Sequence, residues 1–204
     1  MKIIKIWGEE LGDRQIQETV RDLKEGQILL APTDTLYAIM CDALSPKAIE
    51  AVCRLKGLNP EKTNLSIICS DISMAAEYAV FNNQTFRLLK DLTPGPYTFI
   101  CKAAHSLPAA FKRRKMVGIR IPEFKADRQL AEALGHPLLT TSILYEDSDY
   151  AINPELIEEA YNDKVDIMIQ GPDGLLTPST VLDCTGQTVE VIREGLGPID
   201  TIEG

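Results

Sequence analysis

At 204 residues, 45% hydrophobic and 25% charged, the chain has the size and composition of one large globular domain with a sizeable core. Its formal net charge of −9 argues against a protein that grips nucleic acid over its whole surface. No apolar run reaches membrane-spanning length and no signal-type apolar region follows Met1, so a cytoplasmic location with no membrane partner is expected.

In chain order, Ile16, Val20 and Leu23 fall at helical spacing among charges, which predicts an amphipathic helix over 14–25 closed by Gly26. The apolar run 28–31 reads as a buried strand that stops at Pro32. Ser45-Pro46 has N-cap and first-turn chemistry for a helix over 46–56. After a loop at 57–64 come a buried strand at 65–69, helices at 72–79 and 82–91, and the turn Thr93-Pro94-Gly95-Pro96. Strands are expected at 97–102 and 117–121, a helix at 126–134 ending at Gly135, and a short strand at 138–142. Residues 145–153 read as loop, followed by a helix at 154–162 and strands at 165–169, 180–183 and 189–193. The irregular alternation predicts a single mixed α/β domain rather than a βαβ repeat.

Chemistry-bearing side chains gather where strands end or bury a charge. Thr33, Asp34 and Thr35 follow the first of these strands, the place where open α/β sheets hold ligands. Arg120 sits inside Val117-Gly118-Ile119-Arg120-Ile121, where a charge needs a partner. Thr140, Thr141 and Ser142 close a strand, Ser179 and Thr180 open another, Arg193 ends a third, and Lys56 closes a helix. Each alone has a structural reading; Thr33 or Asp34 could bond nearby backbone, and Arg193 could pair with Glu190 or Glu194. Together, several hydroxyls with two or three cations suit a cleft for carboxylate or phosphate. A further basic cluster, Lys112, Arg113, Arg114 and Lys115, reads as a solvated turn. Cys41, Cys53, Cys69, Cys101 and Cys184 stand singly among apolar neighbours, without a Cys-x-x-Cys pair, and read as reduced core residues. With only two histidines, no protein metal site is expected, and no nucleophile triad is indicated.

The ordered segments Ala31-Pro32-Thr33-Asp34-Thr35-Leu36-Tyr37, Leu55-Lys56-Gly57, Thr93 to Thr98, Val117 to Pro122, Thr141-Ser142, Pro178 to Asp183 and Ile192 to Gly195 resemble those of YrdC-like proteins over about residues 14–198. The wording at 63–69, 93–99 and 140–144 resembles the YciO branch most. The resemblance implies a twisted mixed sheet flanked by helices, with a large concave, electropositive cavity, in one domain spanning 1–204. It implies threonylcarbamoyl-AMP synthesis from L-threonine, bicarbonate and ATP, with Mg²⁺ accompanying ATP and pyrophosphate released, for threonylcarbamoyladenosine modification of tRNA. Carried over by position, Thr35, Arg120, Ser142 and Ser179 would bind substrate, with Thr33, Asp34 and Thr141 in support. Lys56, Arg193 and one of Lys62 or Asn64 would face the nucleotide, and no catalytic nucleophile is needed. Departures from the pattern fall at the nucleotide end: Leu58 replaces an arginine, Leu144 an asparagine and Met116 a threonine. A second reading is therefore a diverged YciO-type protein that binds tRNA, double-stranded RNA, the ribosome or a related adenylate without efficient synthase activity. The chain ends soon after Arg193, so no C-terminal extension domain is expected, and a lid would come from 57–64 or 145–153.

Overall fold

The computed structural model describes residues 1–59, 65–104, 115–143, 145, 147–200 and 202. The elements run β1 (Lys2–Lys5), α1 (Asp13–Lys24), β2 (Leu29–Ala31), β3 (Ala38–Asp42), α2 (Pro46–Leu55), β4 (Ser66–Ile68), α3 (Ile72–Tyr78), β5 (Ala79–Val80) and α4 (Asn83–Leu92). They continue with β6 (Tyr97–Ala103), β7 (Met116–Arg120), α5 (Lys125–Leu134), β8 (Leu138–Ser142), α6 (Asp149–Ile152), α7 (Pro154–Tyr161), β9 (Ile167–Gln170), β10 (Thr180–Asp183) and β11 (Glu190–Arg193). The expected segments recur with ends shifted by a residue or two. β1, β3 and β5 are additions, and the loop expected at 145–153 is corrected by the short helix α6.

Local chemistry sets the helix ends. Ser45, Asp71, Asn82 and Asn153 cap α2, α3, α4 and α7 by accepting hydrogen bonds from amides in the first turn. Gly26 and Gly135 follow α1 and α5 at φ 87° and 77°, where a side chain would be strained.

The strands form one mixed sheet in the order β1-β9-β2-β3-β8-β4-β7-β6-β10-β11, with β5 also beside β6. Side chains alternate across it. On one face Leu30, Ile39, Ile67, Phe99, Ile119 and Leu182 pack with Val52 of α2, Ala75 of α3, Leu89 of α4 and Ile157 of α7. On the other, Leu29, Met40, Ile68, Leu138 and Ile167 pack with Val20 and Leu23 of α1 and Leu130 of α5. That second core holds no residue of β6, β7, β10 or β11. Among the described residues, the sheet is thus covered on both faces at its β1 side, while α1 and α5 leave one face uncovered toward β11. No described helix is long and apolar enough to cross a membrane.

Candidate functional site

Period-two alternation along β7 turns Met116, Gly118 and Arg120 onto that open face. Strand pairing sets Ser66 beside Gly118 on one side and Ile100 on the other, with Thr140 opposite Ser66. Thr98 neighbours Val181, and Val181 lies opposite Arg193. These side chains, with Ser142 and Ser179, line a cleft of about 250 Å³. A Cβ at Gly118 would press on Ser66 Oγ and approach Thr98 Cγ2 at 3.3 Å, so glycine keeps the floor low.

Arg120 is 6% exposed, and the partner its burial demands is Asp34. The other carboxylate oxygen of Asp34 accepts the Glu123 amide at 2.9 Å, which fixes the acid between the β2–β3 turn and the end of β7. Arg120 Nη2 also donates to Thr35 Oγ1 at 3.2 Å. Thr33 Oγ1 donates its one proton to the Leu36 carbonyl at 2.8 Å, so Thr35 is the donor in the 3.0 Å hydroxyl pair that joins them. The chain of donors runs Arg120, Thr35, Thr33 and ends on the accepting Leu36 carbonyl. Thr33, Asp34 and Thr35 therefore serve both as a turn and as the cradle of Arg120. Thr35 is not among the described cleft-lining residues; it reaches the site through the guanidinium. Arg120 Nε and Thr140 Oγ1, both buried, have no hydrogen-bond partner among the described residues.

The opposite wall is built by the chain after β11. Gly195 donates its amide to Thr180 Oγ1 at 2.9 Å, and Thr180 donates to the Gly197 carbonyl at 2.6 Å. Only glycine fits at 195, because a Cβ would meet the Pro178 carbonyl. This holds Ser179, whose hydroxyl pairs with Thr98 at 2.8 Å and whose carbonyl accepts Arg193 Nη2 at 2.8 Å. Arg193 thus bonds the Ser179 backbone rather than Glu190 or Glu194. Burial, then the Arg120 charge across the cleft, lowers the Arg193 pKa. Two guanidiniums and two hydroxyls lining one cleft are groups with the chemistry to hold a carboxylate or phosphate.

Lys56, at the end of α2, donates to the Ser142 carbonyl. Burial lowers its pKa to about 8. Thr141, Ser142 and Met116 also line the cleft. Leu58 packs against the first core. Lys62, Asn64, Leu144 and Lys112 to Arg114 lie outside the described residues. The sequence reading did not single out Ser66, Thr98 or Gly118 for the site. Their signal was parity: small or hydroxyl residues an even number of positions from Arg120 or its strand partners. Among the described residues, no three His, Cys, Asp or Glu side chains group as a metal site.

A sheet with this open basic face defines a class. The family model for Sua5, YciO and YrdC proteins, described as "Telomere recombination", matches residues 21–195. The chain belongs to the Sua5/YciO/YrdC family. It is 36% identical over 189 residues to YciO of Escherichia coli strain K12, covering 91% of each chain. The crystal structure of E. coli YciO superposes with a TM-score of 0.89 at 33% identity, over 99% of this chain and 100% of that one. A Methanocaldococcus jannaschii protein with the provisional name threonylcarbamoyl-AMP synthase is 31% identical over 98% of this chain and 96% of its own. P. abyssi Sua5, solved in complex with L-threonine, shares the fold with a TM-score of 0.86 at 21% identity, over 100% of this chain and 60% of that one.

Proposed function

We propose that the cleft binds L-threonine by its carboxylate and that the protein makes threonylcarbamoyl-AMP. The observation that carries this reading is the pair of facing guanidiniums, Arg120 and Arg193, over the Thr98 and Ser179 hydroxyls. With Nη2 engaged by Asp34 and Thr35, Arg120 would meet a carboxylate oxygen through Nη1, while the planar guanidinium keeps all of these bonds at once. Thr140 and Ser142 supply hydroxyls for the remaining polar atoms, and the 250 Å³ cleft suits an amino acid better than a whole adenylate. The threonine complex of P. abyssi Sua5 and the name of the M. jannaschii relative support the same choice.

In this reading threonine and bicarbonate condense to a carbamate with loss of water. A carbamate oxygen attacks the α-phosphate of ATP, and the bond to the β-phosphate breaks to release pyrophosphate. Mg²⁺ would arrive on the triphosphate and neutralise the leaving group. No protein nucleophile is required; the cleft positions the carbamate and stabilises charge. Lys56 and Arg193 would meet phosphates, with Lys62 or Asn64 beside them. With Leu58 and Met116 the nucleotide end offers fewer polar partners, and each missing charged contact is worth roughly 1.5–3 kcal/mol, so turnover is expected to be slow.

Calorimetric titration with L-threonine tests the carboxylate site. Wild type should bind, and Arg120→Lys, which retains a charge for Asp34 but lacks the guanidinium donors to meet Asp34, Thr35 and a ligand together, should bind about tenfold or more weakly. Equal affinities would show that the guanidinium does not hold the carboxylate.

A further inference from the structure

Beneath the Arg120–Asp34 pair lies a group with no role in the reading above. Asp127, in the first turn of α5, is 0% exposed. Neither of its carboxyl oxygens has a hydrogen-bond partner among the described residues. The charged groups that act on it are Asp34 from the β2–β3 turn, Arg120 from β7 and Arg128 from α5 itself. Arg120 Nε and Arg128 Nε are likewise buried and without partners among the described residues, so neither guanidinium uses these donors to satisfy the acid. An ionised carboxylate in such a place would lose its hydration and gain no hydrogen bond in return. The neutral acid carries a much smaller penalty. Burial foremost, and the Asp34 charge next, hold the Asp127 carboxyl well above the usual carboxylate range, with Arg120 and Arg128 opposing.

The arrangement matters because Arg120 can serve two anions but not three. Asp34 already holds Nη2 of the guanidinium, and an ionised Asp127 would add a second negative charge within electrostatic reach of it. We infer that Asp127 is a positioning residue that stays protonated, so that the Arg120 charge is directed outward to an anionic ligand in the cleft. When Asp127 loses its proton as pH rises, its charge competes with the ligand for the guanidinium and ligand affinity falls. Ligand binding and proton retention are therefore linked in sign: an anion at Arg120 strengthens the hold of Asp127 on its proton. This inference rests on the reading of Arg120 as the carboxylate site.

Two measurements on the full chain test it. Infrared spectroscopy of wild type, with ¹³C-labelled aspartate, should show a protonated carboxyl band near neutral pH that is missing in Asp127→Asn and in Asp127→Leu. L-threonine binding by calorimetry from about pH 6 to about pH 9.5 should then show wild type losing more affinity over the range than either variant, about tenfold for each unit by which the bound anion raises the Asp127 pKa. The amino group of threonine titrates alike in all three proteins, so the difference reports Asp127. Absence of the band overturns the inference. A band together with identical pH profiles overturns it too, and leaves the Arg120 site intact. A band with no threonine binding by wild type overturns the ligand reading, and with it the linkage. Because the band is read from wild type, the test stands even where a variant folds poorly.

Discussion

Arg120 carries the site because its burial forces a commitment. A guanidinium 6% exposed must be paired, and Asp34 is held in place by the Glu123 amide before any ligand arrives. Removing that acid should therefore act on the fold as well as the site: Asp34→Ala should cost roughly 3–5 kcal/mol in urea unfolding, the cost of an uncompensated buried charge. A loss below about 1 kcal/mol would show the pair to be solvated like a surface bridge. Lys56 makes a different prediction. Its pKa of about 8 means that its charge fades just above neutrality. Any phosphate contact it makes should weaken above about pH 8, and Lys56→Arg should flatten that limb of a nucleotide-binding profile. Arg120 and its need for a partner were legible in the sequence, since a charge inside an apolar run announces itself. The inward role of Thr35 was not, because it depends on which hydroxyl proton points where.

At the scale of elements, the cleft is a stretch of sheet left bare by α1 and α5. Gly118 is its floor, and Gly118→Ala should destabilise by about 1–3 kcal/mol through overpacking against Ser66 and Thr98. The same change should lower threonine affinity; unchanged affinity in a folded variant would place the ligand elsewhere. The helices other than α6 were legible because their apolar spacing and, as at Ser45-Pro46 and Asn153-Pro154, their caps mark them, whereas the four-residue α6 has no side-chain cap. β3 was missed because all five of its residues are buried, so it lacks the alternation that marks a half-buried strand. β1 is four residues long, with two isoleucines between lysines, too short for periodicity to speak. The open face could not be read at all: it depends on which strands α1 and α5 cover, a matter of tertiary packing.

For the whole molecule, acid and alkali should act through different groups. Burial alone would raise the Asp42 pKa, but hydrogen bonds from His136 at 2.8 Å and from the Leu44 amide outweigh it, and the net shift is down. Its contribution to stability is thus present above the unfolded value of about 3.9 and lost as pH falls through the depressed folded value. Asp42→Asn should flatten the acid limb of a urea-unfolding series taken from about pH 6 to about pH 2. Asp127 has the opposite sign. Its raised pKa means the folded state binds more protons than the unfolded chain, so its effect is to lower stability as pH rises above about 4.

If the two arginines on the uncovered stretch of sheet serve adenylyl transfer to an amino-acid carbamate, the purified protein should release pyrophosphate from ATP. Release should be slow, should require both L-threonine and bicarbonate, and should be lost in Arg120→Lys. No release above background, with an active family member run alongside, would contradict that role.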